Sequence, residues 1–306
     1  MLFDKTPKTP EEHYLLLQNR GLIIPDKDRM LHYLCNIGYY RLSAYFLPFQ
    51  IADHSSDKHH TFRSGVAFDD VLSLYIFDRK IRLCLFDALE RVEISIRAAI
   101  TDVMCELKND AHWHLNPDNF GTRFGNNYSR PFNHEDFIKN ISKEDEVFLK
   151  HYREKYSDPV HPPAWMAFQV LSFGTCSFAL AHLRKREAHA VCKQFNLEPI
   201  PMISWVQGLC ILRNHCAHHA RIWNRHFTHR MSLSGKHPAA LYLPLTEKNH
   251  RTFEGYASVL DYFMQKTNPH SSWRERLKRI LETYYKSISL DFMREKLQRV
   301  AGRWLE

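Results

Sequence analysis

Three observations predict an all-α fold for this chain of 306 residues. The chain contains only ten glycines, so tight turns that need a positive φ should be scarce. From Phe68 to about Cys105 there is neither glycine nor proline, and large apolar residues recur at steps of three and four. Near the beginning, Thr9 precedes Pro10 as an N-cap residue precedes proline at a first helical position. These features favour long helices over many short strands.

The elements follow from the same signals along the chain. One short helix begins after Thr9, and a second runs from Asp26 to Gly38. The later predicted helices, in chain order, are Phe68–Cys105, Glu144–Tyr156, Trp165–Leu183, Arg186–Phe195, Ser204–Arg225, Lys248–Gln265 and Ser272–Lys286. We interpret 1–66 as an N-terminal helical region, 67–230 as a helical core and 231–306 as additional C-terminal helices. Asn, Pro, Gly and His accumulate in 108–163, which predicts a loop-rich insertion in that core.

The predicted helix from Phe68 carries many charges opposite its apolar face. Glu93 and Arg97 have the i,i+4 spacing of an ion pair, as do Asp87 and Arg91. We expect most of these to be surface pairs of small energetic weight. In the last predicted helix, four basic residues form a surface that could face phosphate or be merely solvated: Arg274, Arg276, Lys278 and Arg279.

The composition limits the kinds of binding partner and the cellular compartment that we expect for this protein. The formal net charge is +8, which suits an anionic partner such as nucleic acid. No secretory signal opens the chain and no run of about 18 apolar residues occurs, so we expect a cytoplasmic protein without a membrane contact. The seven cysteines lack CxxC spacing, which indicates free thiols in a reducing compartment.

The stretch that carries chemistry begins at Arg213-Asn214 and continues through His218-His219 to Arg225. On one helix, Asn214, His218, Arg221 and Arg225 would form a single polar and cationic stripe. Guanidinium groups hold phosphate oxygens and imidazole moves protons near neutral pH, so the stripe suits an RNA phosphodiester. His218 would act as general base or acid, and Arg213 would stabilise the added charge on phosphorus.

The spacing of Arg213 and His218 predicts a dimer. Five residues correspond to about 140° around an α-helix, so one helix directs the two side chains apart. Two copies of the helix meeting across a two-fold axis would place both pairs around one cleft. We therefore expect a homodimer with a composite site.

The surroundings of this motif resemble a known family. The sequence RNHCAHHARIWNR is similar to the signature of abortive-infection (Abi) proteins of the AbiD/AbiF type, which belong to the HEPN superfamily with its R-x4–6-H motif. Three further stretches, at Ile37–Phe49, Tyr75–Arg97 and Pro162–Ser177, resemble the same family in the same order. Within the last stretch, Gln169 stands where the family pattern has an acidic residue.

The resemblance implies a HEPN-type helical bundle, metal-independent RNA cleavage to 2′,3′-cyclic phosphates, and toxin-like growth arrest in anti-phage defence. It also implies RNA as substrate, a noncoding RNA as a possible regulator, and no cofactor. Carried over to this chain, the catalytic residues are Arg213, Asn214 and His218. The supporting residues would be His219, Arg221, Glu90 and Arg97, and the RNA-binding residues Arg221 and Arg225. Arg91 and Glu93 are further candidates for orienting the motif.

Four other interpretations of the histidine cluster stay open. A metal-dependent hydrolase is suggested by His215 and His219 at i,i+4, but Cys216 replaces the glutamate base of HExxH enzymes. A structural zinc site through these three residues is compatible with the sequence. A basic RNA-binding helical protein without catalysis shares every basic feature. Finally, the histidines could simply be buried and hydrogen-bonded.

Overall fold

The computed structural model describes residues 6–51, 60–121, 132–233 and 245–305. In these ranges there are thirteen α-helices and no β-strand, so the predicted all-α class is confirmed. The helices are α1 (Pro10–Asn19), α2 (Lys27–Ile37), α3 (Tyr39–Phe46), α4 (Phe68–Lys108), α5 (His134–Ser142), α6 (Val147–Lys155), α7 (Ala164–Val170), α8 (Phe173–His182), α9 (Lys185–Lys193), α10 (Pro199–Ala217), α11 (Phe253–Thr267), α12 (Trp273–Ser287) and α13 (Asp291–Ala301).

Local signals placed most of these helices. Thr9 and Glu12 form a capping box at α1, and the Asp26 side chain caps α2. The long helix extends slightly beyond its predicted end, and all seven apolar positions that predicted it are buried: Leu74, Phe77, Ile81, Leu85, Leu89, Val92 and Ile96. These elements were predictable because caps and the 3.6-residue period are local properties.

Two helix predictions need correction, and α3, α5 and α13 were not among the predicted helices. Trp165–Leu183 is not one helix: the chain is extended at Leu171 and Ser172, and the Ser172 side chain caps α8. The helix predicted for Ser204–Arg225 starts earlier and ends at Ala217. Helix α13 was not predicted, although Met293, Leu297 and Ala301 form its buried face.

The chain forms two compact units, each built from separate stretches. The first contains Met1–Leu83, Arg221–Trp223 and Leu277–Glu306, and the second contains Cys84–Ala220 and Asn224–Arg276. Helices α4 and α12 each contribute residues to both units. The three-region division proposed from the sequence stays a prediction.

In the first unit, the buried carboxylate of Asp78 organises the chain around it. Its Oδ1 atom accepts hydrogen bonds from the backbone N–H groups of Ile222 at 3.1 Å and Trp223 at 2.6 Å. Its Oδ2 atom accepts one from the Tyr45 hydroxyl at 2.6 Å and another from Arg82. Burial raises the pKa of Asp78, and these four donors oppose that rise. The 221–223 segment is therefore held to α4 by one polar anchor.

In the second unit, α10 is the central helix. Most of its residues are buried, and it packs against α8, α9 and α11. The predicted apolar stripe of Trp205, Leu209, Leu212 and Cys216 is buried as expected. A helix that is apolar on nearly all sides is stable only when neighbours surround it. The solvent-exposed polar side chains of α10 therefore lie at its C-terminal end.

None of the helices in the described ranges combines the length and apolar character needed to cross a membrane.

All seven cysteines are free thiols, and Cys84, Cys176, Cys192, Cys210 and Cys216 are buried. Burial raises the pKa of the Cys176 and Cys192 thiols to about 12. These groups stay protonated at neutral pH and behave as small apolar side chains.

Buried His114 makes stability dependent on pH. Burial, and then the neighbouring His112, His161 and His134, lower its pKa from 6.5 to about 3. The folded state thus favours the neutral ring, whereas unfolding at acidic pH takes up a proton. Neutral His114 makes its full contribution to the free energy of unfolding above pH 6.5, and this contribution is lost as pH falls towards 3.

We therefore predict that His114→Leu flattens the acid dependence of the unfolding free energy. Between pH 7 and 5 the wild-type protein should lose about 2 kcal/mol through this group. Urea titrations of both proteins at each pH measure the difference, and pH 8 provides the reference at which the wild-type ring is neutral in both states. An unchanged slope in the variant would contradict the assignment.

Candidate active site

The motif lies at the C-terminal end of α10, where the backbone closes the helix with a Schellman turn. His218 is the C-cap, and His219 follows in the left-handed conformation with φ +57°. The Ala220 N–H group donates to the His215 carbonyl at 2.8 Å, and the His219 N–H group donates to the Cys216 carbonyl at 3.1 Å. Glycine usually occupies the left-handed position, so the sequence offered no clear stop signal here.

This turn overturns the predicted polar stripe. Asn214 lies on the helix and His218 at its cap, but Arg221 and Arg225 lie beyond the helical backbone. Arg221 belongs to the first unit, where it donates to the Ala44 carbonyl at 2.7 Å. The cationic groups after His219 therefore do not continue the face that carries Asn214.

Arg213 is held from the inside of the second unit by Glu93. The closest approach joins Arg213 Nε to Glu93 Oε2 at 3.2 Å. The geometry is that of an ion pair rather than a directed hydrogen bond, because the buried Nε has no hydrogen-bond acceptor. The Nη1 atom donates instead to the Asn214 side-chain oxygen at 3.3 Å on the exposed side. About one third of the Arg213 side chain is accessible, at 33%.

Glu93 is in turn held by Arg97. The Arg97 Nη2 atom donates to Glu93 Oε1 at 2.5 Å, and its Nη1 atom donates to the carbonyls of Phe168 at 2.5 Å and Leu171 at 2.6 Å. Both side chains are nearly inaccessible, at 9% for Arg97 and 11% for Glu93. The i,i+4 pair predicted from the sequence is present, but it is buried and not a surface pair.

The carbonyl groups that accept hydrogen bonds from Arg97 lie at the break between α7 and α8. Phe168 lies in the last turn of α7, and Leu171 lies in the extended link. Carbonyls at a helix end lack partners within the helix and need donors from elsewhere. Arg97 supplies these donors, so the network links α4, the α7–α8 junction and α10.

Two thiols border this network without taking part in proton chemistry. Burial raises the pKa of Cys210 to about 11, with Glu93 adding to the rise and Arg213 opposing it. Cys176, already described, is also influenced by Arg97 and Glu93. The walls of the network are therefore largely apolar, which strengthens the attraction between its charges.

Asn214 and His218 are exposed to solvent, in contrast to the buried network beneath them. Within the described part of the chain, the His218 imidazole has no hydrogen-bond partner, so both ring nitrogens are accessible to a ligand. His215 is half-buried, and burial lowers its pKa, followed by electrostatic interactions with Arg225 and His218. A neutral, partly buried imidazole at 215 and an accessible one at 218 are chemically distinct groups.

The supporting residues divide into two groups. Arg97, and Glu93 beside it, contact the motif arginine directly or through one ion pair. Glu90 is exposed and forms no ion pair within the described ranges. Arg91 pairs with Asp87 at 3.0 Å, as predicted. His219 shapes the turn through its backbone.

The proposed zinc ligands do not come together. In the residues that the structure describes, no group of three or more His, Cys, Asp and Glu side chains is arranged to hold a metal ion. His215, Cys216 and His219 accordingly do not form such a group.

Sequence reasoning treated Glu93 as one of several equivalent charges on α4, and it did not single out Asp78. The i,i+4 spacing to Arg97 and Arg82 was available as a signal. That spacing is the same for exposed pairs, so only packing identifies which pairs are buried.

Comparison with known proteins gives one match. A family model described as "Abi-like protein" matches residues 32–224, which is more than half of the chain. No match was found among curated proteins or among solved structures.

The left-handed backbone at His219 generates a stability prediction. His219→Gly and His219→Ala both remove the imidazole, but only glycine adopts a positive φ without a steric cost. We expect the glycine variant to be more stable than the alanine variant by about 1 kcal/mol. Urea denaturation of the two variants measures this difference.

Asn214 provides a control of opposite sign, since it lies in the helical backbone of α10. There, Asn214→Ala should be more stable than Asn214→Gly by roughly 0.5–1 kcal/mol. If the alanine variant were more stable than the glycine variant at both positions, the turn would not end the helix at His219.

Proposed function

Because the chain belongs to the Abi-like protein family, we propose that it is a metal-independent endoribonuclease of the HEPN type, acting in abortive-infection defence. The observation that carries the proposal is the pairing of a positioned arginine with an accessible histidine. Arg213 is held by the buried Glu93–Arg97 pair, and His218 lies exposed at the end of the same helix.

The reaction needs no group beyond these side chains. The 2′-oxygen of a ribose attacks the adjacent phosphorus, the P–O5′ bond breaks, and a 2′,3′-cyclic phosphate and a 5′-hydroxyl result. His218 accepts the proton of the 2′-hydroxyl, and the imidazolium so formed returns a proton to the departing 5′-oxygen. Arg213 stabilises the negative charge that accumulates on the phosphate oxygens. DNA lacks the attacking hydroxyl and should not be cleaved.

The Glu93 ion pair suits this role of Arg213. Its closest approach to the guanidinium is at Nε, and Nη1 donates to the Asn214 side chain rather than to the carboxylate. A positioned planar fork loses less conformational freedom when it binds phosphate. Asn214 accepts from Nη1 and can orient the same fork. Glu93 and Arg97 are thus positioning residues, whereas Arg213 and His218 contact the substrate.

RNA as the partner is supported by charge. The net charge of +8 favours an anionic polymer, and half-buried Arg225 lies a few residues after the cap. Arg221 already donates to a carbonyl, so its predicted part in RNA binding would require that bond to be exchanged. An RNA substrate and free thiols would support the proposal of a cytoplasmic location.

We propose in addition that the active form is a homodimer. Glu93 holds Arg213 from within the protomer, and His218 lies beyond the helical backbone at the cap. A two-fold contact between α10 ends would bring the Arg213 of one protomer to the His218 of its partner.

The first test separates catalysis from binding. His218→Ala removes the proton-transfer group but little of the positive surface, so RNA affinity should stay within a few-fold of wild type. Cleavage should fall by about 10²–10⁴. Filter binding and gel assays with the same labelled RNA, in EDTA, measure both quantities.

His226→Ala is the matched control, because His226 is also exposed and follows the motif. It should cleave normally. If His218→Ala cleaved as well as wild type, the non-catalytic RNA-binding alternative would replace the proposal. Activity that required added divalent ion and produced 5′-phosphates would favour a metal-dependent hydrolase.

The second test concerns the composite site. Arg213→Lys and His218→Ala should each be inactive as homodimers, since lysine lacks the planar fork. In a statistical mixture, half of the dimers pair the two variants, and each mixed dimer contains one intact site. Activity should therefore return to about a quarter of wild type. Co-expressed protein provides the mixture, and no recovery would show that both groups act within one protomer.

A further inference from the structure

The first unit contains a cleft between α4 and α12 that the proposed reaction does not use. Its volume is about 380 Å³. The floor is apolar and consists of Ile76, Phe77, Ile280 and Tyr284. The Phe77 and Tyr284 rings stack with centroids 4.0 Å apart and are buried, so the floor is rigid. Ile76 is 37% exposed, which leaves apolar surface open to a ligand.

The rim of the cleft is cationic. Lys80 on α4 and Arg279 on α12 both line it and are both exposed. Within the described ranges neither side chain forms an ion pair, and no carboxylate lines the cleft. Two of the other basic residues near the start of α12 are neutralised, because Arg274 pairs with Asp261 and Arg276 pairs with Asp87. In the described part of the chain, Lys80 and Arg279 thus bring two cations without ion-pair partners to the cleft.

Three hydroxyl groups complete the rim. Ser73, Thr283 and Ser287 line the cleft and are exposed. Hydroxyls both donate and accept, so they suit the oxygens of a phosphate or of a sugar. Small-molecule sites typically combine an apolar lining with a few convergent polar groups, in volumes of about 300–1,000 Å³. This cleft has that composition at the lower end of that range.

We propose that the cleft binds the phosphate monoester of a compact body that has a flat apolar face and is the size of one nucleotide. The body lies on the isoleucine and aromatic floor, and Lys80 and Arg279 bind the phosphate. Two unpaired cations match the double charge of a phosphate monoester better than the single charge of a carboxylate. The same chemistry is present in a free mononucleotide and at the 5′-phosphorylated end of an RNA.

Adenosine 5′-monophosphate is the probe, and isothermal titration of the full chain at low salt is the measurement. Binding should saturate at one nucleotide per chain. Lys80→Gln and Arg279→Gln should each weaken affinity by at least about tenfold. Ser287→Trp should prevent binding by filling the cleft. Inorganic phosphate should bind at least about tenfold more weakly, because it lacks the body that covers the floor.

Arg79→Gln is the matched control, since Arg79 is an exposed cation beside Lys80 that does not line the cleft. It should leave affinity within about twofold. Circular dichroism of every variant checks that the helices are retained.

The RNA source is tested with a 5′-phosphorylated oligonucleotide and its 5′-hydroxyl counterpart, both made of DNA so that the 2′-hydroxyl reaction cannot occur. Selective binding of the phosphorylated strand, weakened by Lys80→Gln, with no binding of the mononucleotide, would support the proposed chemistry and identify a strand end as its source. Failure of both probes, equal affinity for inorganic phosphate, or indifference to both substitutions would overturn the proposal. These outcomes are independent of RNA cleavage, because no cleft residue belongs to the proposed catalytic site.

Discussion

The second unit depends on the buried carboxylate of Glu93. A carboxylate removed from water is costly unless opposite charges and donors replace the solvent. Arg97 and Arg213 supply that replacement on either oxygen, and Arg97 also satisfies carbonyls at the α7–α8 junction. Removing any member would leave an uncompensated charge in an apolar surrounding, so the position of the motif arginine and the packing of three helical segments are coupled.

A comparable anchor operates in the first unit. Asp78, also on α4, accepts backbone N–H groups of Ile222 and Trp223 and pairs with Arg82. The chain after the motif is therefore fixed by one buried acid and the motif arginine by another. In both cases an arginine four residues further along α4 pairs with one oxygen of the carboxylate. The other oxygen contacts a segment that is distant in the sequence. Helix α4 thus acts as the support for the region that carries the proposed chemistry.

The contrast between buried and exposed groups fits the proposed reaction. Arg213 has restricted motion because its Nε end faces Glu93, whereas His218 lies in solvent beyond the last helical residue. A positioned cation and an accessible proton carrier are what phosphodiester cleavage by a 2′-hydroxyl requires. The cationic cleft between α4 and α12, proposed as an anion-binding site, is lined by none of the residues proposed for catalysis.

The sequence by itself determined the helical class, the starts of α1, α2, α4, α7, α9 and α12 to within about one residue, and the apolar face of α4, because caps and a 3.6-residue period are local properties. It also identified Arg213, Asn214 and His218 as one chemical group through the family resemblance. Only the tertiary structure decided that α10 ends at Ala217, since His219 takes a left-handed conformation without glycine. It alone also distinguished the buried Glu93–Arg97 pair from the half-exposed Asp87–Arg91 pair of identical spacing. The physical reason is that spacing determines which side chains can meet on a helix, whereas burial depends on what packs against them.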